Sequence, residues 1–136
     1  MSLVHFDDLL NAARGEPHPQ RLLMIFTAKE LPDDANAAQR TAFLQGTAGV
    51  LAPVFYVDKA ASALDSFEAL CAEARQLEKP WDVVFIGAMD EPEEGGPESQ
   101  AVPAQLERML DDVKGGRIAR FLAANREGRF IQLLAA

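Results

Sequence analysis

Three apolar runs stand out from an otherwise mixed chain, at residues 22–27, 54–57 and 81–89. Each is of strand length and bounded by turn residues. In 22–27 the continuous rather than alternating apolar character predicts a strand buried on both faces. The run 81–89 is the most apolar of the three and is expected to be central. Between the runs the period lengthens. Phe6, Leu9, Leu10 and Ala13 form one stripe at helical spacing, predicting a helix over 3–14 with Ser2 as its cap and a left-handed Gly15 at its end. Ala38, Ala42 and Phe43 or Leu44 mark a thinner stripe over 35–45, capped by Asp33 or Asp34. Phe67, Leu70, Cys71, Ala74 and Leu77 give a third helix, started by Ser62 or Asp65 and stopped at Lys79-Pro80. Val102, Leu106, Met109, Leu110 and Val113 give a fourth.

Two short strands close the chain, near 117–123 and 129–134. Asn125 first and Gly128 fourth match a type I turn joining them as a hairpin. Pro53 lacks a backbone donor, so it is expected at the start of its strand. Phe26, Phe55 and Phe85 are spaced 29 and then 30 residues apart, about one strand-plus-helix unit. Strands alternating with helices predict a mainly parallel sheet. The expected fold is therefore a single α/β domain over 1–136. It has three mainly parallel strands, a C-terminal antiparallel hairpin and helices on both faces.

In such sheets ligands gather beyond the carboxyl ends of the strands. That rule selects Thr27, Lys29, Glu30, Asp33 and Asp34 after the first run, Asp58 and Lys59 after the second, and Asp90, Glu91, Glu93 and Glu94 after the third. Carboxylates and lysines converging there would suit a small-molecule ligand or acid–base chemistry. The same residues also serve as helix caps and solvated loop charges. The acidic loop 90–98 lacks the spacing of a calcium loop and reads as a solvated connection. Gly95-Gly96 and Gly115-Gly116 match neither phosphate-binding nor dinucleotide glycine patterns. His5 and His18 have no spaced metal partners and read as surface residues. Cys71 lies on an apolar helix stripe and reads as core. No catalytic residue, metal or cofactor is implied.

Composition narrows the partners. With 49% apolar and 25% charged residues in 136, the chain can bury an ordinary core. A net charge of −8 disfavours nucleic acid and anionic membranes. One cysteine and no apolar stretch of membrane-spanning length make a cytoplasmic protein the expectation, as does a beginning unlike a signal peptide. The charge is also divided. Nine acids face one base over 82–112, whereas 114–136 holds Lys114, Arg117, Arg120, Arg126 and Arg129 against Glu127 alone. The four arginines are a candidate basic surface for an acidic partner or a second copy, or they pair with the chain's own acids. The apolar residues 130–134 would add an exposed strand edge.

Two resemblances follow from longer stretches. Phe6-Asp7-Asp8-Leu9-Leu10, Pro19-Gln20-Arg21-Leu22-Leu23, Glu30-Leu31-Pro32-Asp33-Asp34-Ala35 and Pro53-Val54 with Val57-Asp58-Lys59 resemble a family of small bacterial proteins often labelled "ribonucleotide reductase subunit alpha". That activity needs several cysteines and a much larger chain. The resemblance therefore implies a family, or an accessory role linked to ribonucleotide reductase, and no catalytic residues. Phe26-Thr27-Ala28 before Leu31-Pro32-Asp33-Asp34, and Pro80 before the third run, resemble half of a thioredoxin-like domain without its cysteines. This gives the alternative fold. The leading functional expectation is a non-enzymatic module acting through protein contacts. A small-molecule binder or enzyme at the strand ends is the alternative.

Overall fold

The computed structural model describes residues 3–30, 36–44, 50–93 and 100–133, leaving aside the side chains of residues 39 and 42–44. The order is α1 (Phe6–Arg14), β1 (Gln20–Glu30), α2 (Ala37–Leu44), β2 (Val50–Ala60), a 3-10 turn (Ala61–Ala63), α3 (Phe67–Arg75), β3 (Val83–Asp90), α4 (Ala101–Lys114), β4 (Leu122–Ala124) and β5 (Phe130–Ile131). The five strands form one sheet in the order β2-β1-β3-β4-β5.

Every neighbouring pair in that sheet is antiparallel, which overturns the expected mainly parallel sheet. The reason is adjacency. β2 and β3 do run the same way, joined through α3, but β1 lies between them. Strand–helix alternation constrains a parallel pair only where the two strands end side by side. The thioredoxin-like alternative, with its parallel pairing, falls with the same observation, and Pro80 follows a trans bond, since no described peptide bond is cis. The even phenylalanine spacing is not a repeat in space. Phe26 and Phe55 are opposite one another on one face, whereas Phe85 points to the other.

Alternation along β1 then builds two cores. Leu22, Met24 and Phe26 meet α1 and α3 through Phe6, Leu10, Phe67 and Leu70. Leu23 and Ile25 meet α4 through Leu106, Met109 and Val113. Thr27, the one buried polar residue in this strand, donates its hydroxyl to the Val83 carbonyl at 2.8 Å. Arg14 fastens α1 to the following layer by donating to the carbonyls of Ala61, Leu64 and Asp65.

Several local expectations need correction. Ser2 lies outside the described residues, and α1 is capped by His5. Its Nδ1 accepts from Asp7 N–H at 3.0 Å, and Nε2 donates to the Glu127 carbonyl at 2.8 Å. Acceptance at one nitrogen fixes the proton on the other. Asp8 reciprocates by accepting from the backbone of Val4 and His5, and these two hydrogen bonds hold its carboxyl below the ordinary range. The stability Asp8 lends is therefore present above the ordinary carboxylate range and lost as pH falls through its lowered value. Gly15 is right-handed at φ −82° rather than left-handed. Ser66, not Ser62 or Asp65, caps α3. Pro53 sits inside β2, where the register shifts and Val54 bulges. β4 begins later than expected, at Leu122, because residues 119–121 turn or bend rather than extend, and the described part of the last strand is Phe130–Ile131. The 125–128 turn is present, with Gly128 N–H donating to the Asn125 carbonyl.

The two sheet edges differ. β5 is closed by the N-terminal segment: Phe130 N–H donates to the Val4 carbonyl, and Phe6 N–H donates to the Gly128 carbonyl. The exposed apolar edge expected over 130–134 is therefore covered at Phe130, and residue 134 lies outside the described residues. Among the described residues no strand pairs with the outer side of β2.

Candidate functional site

An antiparallel sheet divides the strand-end residues between two ends. Lys29 and Glu30 lie where β1 finishes, beside Val50 and Leu51 of β2. Lys29 N–H donates to the Asp82 carboxylate at 2.7 Å. Asp33, Asp34 and Glu94 lie outside the described residues. Asp58, Lys59, Asp90 and Glu91 gather at the opposite end, where β2 and β3 finish and β1 begins. Arg21 and Lys29 are separated by roughly 26 Å along β1. Of the sequence-selected residues, Asp58, Glu91 and Glu93 therefore share one cluster on the α4 face, Lys59 and Asp90 lie at the same end of the sheet outside it, and Lys29 and Glu30 are elsewhere.

What organises that cluster is Arg21, which a strand-end rule overlooks because it begins its strand. Its Nε donates to Asp58 at 2.7 Å and its Nη1 to Glu91 at 3.0 Å. Partial burial alone would lower the guanidinium pKa, but the two carboxylates outweigh it and hold Arg21 above its ordinary value. A raised arginine pKa contributes stability at every pH below the strongly alkaline range, so this ion pair adds no slope near neutrality. Asp90 accepts from the Gln20 amide at 2.7 Å. Lys59 pairs with Glu73 of α3 at 3.0 Å, on the other face of the sheet.

Arg21, Tyr56 and Asp58 alternate onto the α4 face. There they line a groove of about 970 Å³ between the sheet and α4. Its acidic rim is Asp58, Glu91, Glu93 and Glu107, four carboxylates against one guanidinium. Its apolar wall is Val102, Leu106 and Leu110 with Pro92 and Pro103. Tyr56 is 55% exposed there. The α4 stripe was visible in the sequence, but the part played by Arg21, Tyr56 and Glu107 was not. A tyrosine interrupting the apolar run 54–57 was the available signal.

The candidate basic surface does not form one patch. Arg117 and Arg120 line a second hollow of about 640 Å³ on the other flank of α4, with Arg108, Asp111 and Asp112. Arg117 is paired to Asp112 at 3.1 Å, and the Arg120 guanidinium lies 5.9 Å from the Phe121 ring centre. Arg126 exerts its charge on Cys71 of α3, behind the opposite face, and the Arg129 backbone pairs with that of His5 at the far edge of the sheet. Burial pushes the Cys71 thiol up, away from the reactive thiolate. Among the described residues no three His, Cys, Asp or Glu side chains are placed to hold a metal ion. No described helix is long and apolar enough to cross a membrane.

The Arg21 triad is testable as a structural unit. Arg21→Met keeps the stem and removes the charge. It is expected to cost about 1–2 kcal/mol in urea unfolding, because two half-buried carboxylates lose their shared cation. In an Asp58→Asn background the same change should cost less, with a coupling above about 0.5 kcal/mol. Strict additivity would show that the triad contributes nothing as a unit.

No family model, curated protein or solved structure matches this chain.

Proposed function

We propose that this protein is a non-enzymatic interaction module of the cytoplasm that receives a basic, amphipathic segment of another protein in the groove beside α4. The observation that carries the reading is the groove's chemistry. Four carboxylates rim an apolar wall, and an exposed tyrosine stands at the sheet side. Tyrosine offers a large apolar surface with a polar tip at small entropic cost, which suits a recognition surface. The carboxylates select for positive charge and against nucleic acid. Two copies of a chain carrying −8 repel one another, so the partner is a different protein. The central charges already form an ion-paired triad, an arrangement that braces a surface rather than one that activates a nucleophile.

The test uses the full chain and two capped lysine-containing peptides, one alternating lysine with valine and one with lysine and leucine at helical spacing. Calorimetry should show binding by at least one of them, weakening with added salt, and no binding by the glutamate counterparts. Glu93→Gln with Glu107→Gln removes two exposed rim charges outside the triad. It should weaken binding about twofold to tenfold. Equal binding of lysine and glutamate peptides, or affinity unchanged in the double variant, would overturn the reading.

A further inference from the structure

We infer that the basic segment docks as an added strand along the outer edge of β2, with lysine or arginine alternating with apolar residues. This rests on the groove being the binding site and specifies how that site is used.

The first argument is the asymmetry of the sheet. Its β5 edge is closed by backbone hydrogen bonds from the N-terminal segment. The β2 edge is 11 residues long, and no described strand covers it. Soluble proteins protect such edges with proline, bulges or lysine. Here Pro53 and the bulge at Val54 guard only the first half of β2. The lysine in the second half, Lys59, has its charge answered by Glu73. From Phe55 to Ala60 the pairing with β1 is regular, which leaves a straight template on the other side.

The second argument is that β2 shows a different chemistry on each face. Toward α4 it presents Tyr56 and Asp58, next to the acidic rim. Toward α3 it presents Phe55 and Val57, both partly exposed against the core. A strand laid beside β2 sends alternate side chains to those two faces. The complementary occupant is therefore basic on one face and apolar on the other. Main-chain hydrogen bonds would supply affinity, and the charge on the α4 side would supply choice of partner.

Backbone methylation of the alternating lysine–valine peptide tests this directly. In an added strand, every second peptide N–H points at β2 and the others point away. Methylating one alternate set should weaken binding about tenfold or more, from several lost hydrogen bonds. Methylating the other set should leave affinity within about twofold. Hydrogen exchange should show new protection of alternate amides between Phe55 and Ala60. Equal sensitivity in the two methylation frames, or no protection in β2, overturns the strand docking. Charge-dependent binding retained in that case leaves the groove reading standing. Failure of both unmethylated lysine peptides overturns both. A concentration-dependent dimer that the peptide dissolves would assign the edge to a second copy and overturn the inference.

Discussion

Phe26→Ala is expected to lower the unfolding free energy by about 3–5 kcal/mol. Phe26 is fully buried in β1. Its ring stacks on Phe55 with centroids 4.4 Å apart and meets the edge of Trp81 at 4.9 Å. Trp81 in turn meets Phe67 at the start of α3. One side chain thus ties the edge strand, the sheet centre and a covering helix. Its removal leaves a cavity bounded by rings that cannot collapse without moving β2 or α3. Phe26→Leu, which keeps most of the volume, should cost about 1–1.5 kcal/mol. Chemical denaturation of both variants measures this. A loss below about 1.5 kcal/mol for Phe26→Ala would mean that the aromatic cluster is not the keystone of this core. The same variant should also weaken peptide binding, since Phe55 lies on the docking strand.

That cluster explains how much of the fold could be read from the chain. Residues 22–27 are uniformly apolar because β1 lies inside the sheet with a helical layer on each side, and that burial was legible. Neighbour choice was not. The contacts that seat β1 between β2 and β3 are Phe26 with Phe55 and Phe26 with Trp81, formed across 29 and 55 residues of sequence. Local periodicity carries no information about such pairings. With the parallel sheet went the rule that placed a site at the carboxyl ends of the strands, so Lys29 and Glu30 separated from Asp58 and Glu91. Arg21 escaped notice because an arginine opening an apolar run reads as a solvated end. His5 escaped because histidine is an uncommon helix cap, and Ser2 offered a commoner one.

The charge division had a similar outcome. The acid-rich stretch is real as a surface feature, since Glu91, Glu93 and Glu107 share one groove. The basic stretch is not, because α4, the sheet and the hairpin carry its arginines to different sides. Sequence blocks become patches only where the chain doubles back on one face. Glu91 and Glu93 meet Glu107 in that way beside α4, and the arginines at 117, 120, 126 and 129 do not all meet.

Gly128→Ala is expected to cost about 2–4 kcal/mol, far more than its single added methyl group suggests. Gly128 adopts φ +83°, which already penalises any side chain. An added Cβ would also stand 2.6 Å from His5 Nε2 and 2.8 Å from Phe67 Cδ2. Neither neighbour yields freely. His5 is held at both ring nitrogens, by Asp7 N–H and the Glu127 carbonyl, so displacing it uncaps α1. Phe67 opens α3 and packs on Phe6 and Trp81. Gly116 is the internal control. It has a similar φ of +76° with nothing within 4 Å of an added Cβ, so Gly116→Ala should cost only the conformational term, about 1 kcal/mol. The difference between the two variants measures the crowding alone, and equal costs would show that His5 and Phe67 give way. Hydrogen exchange adds a second reading. In Gly128→Ala the amides of Phe6 and Phe130, which close the β5 edge, should exchange faster, while those of β2 do not change. That edge is closed by a contact that crowds any side chain at residue 128, whereas among the described residues no strand pairs with the outer side of the longer β2 edge. The strand docking we propose is therefore assigned to β2, because the β5 edge already holds the N-terminal segment.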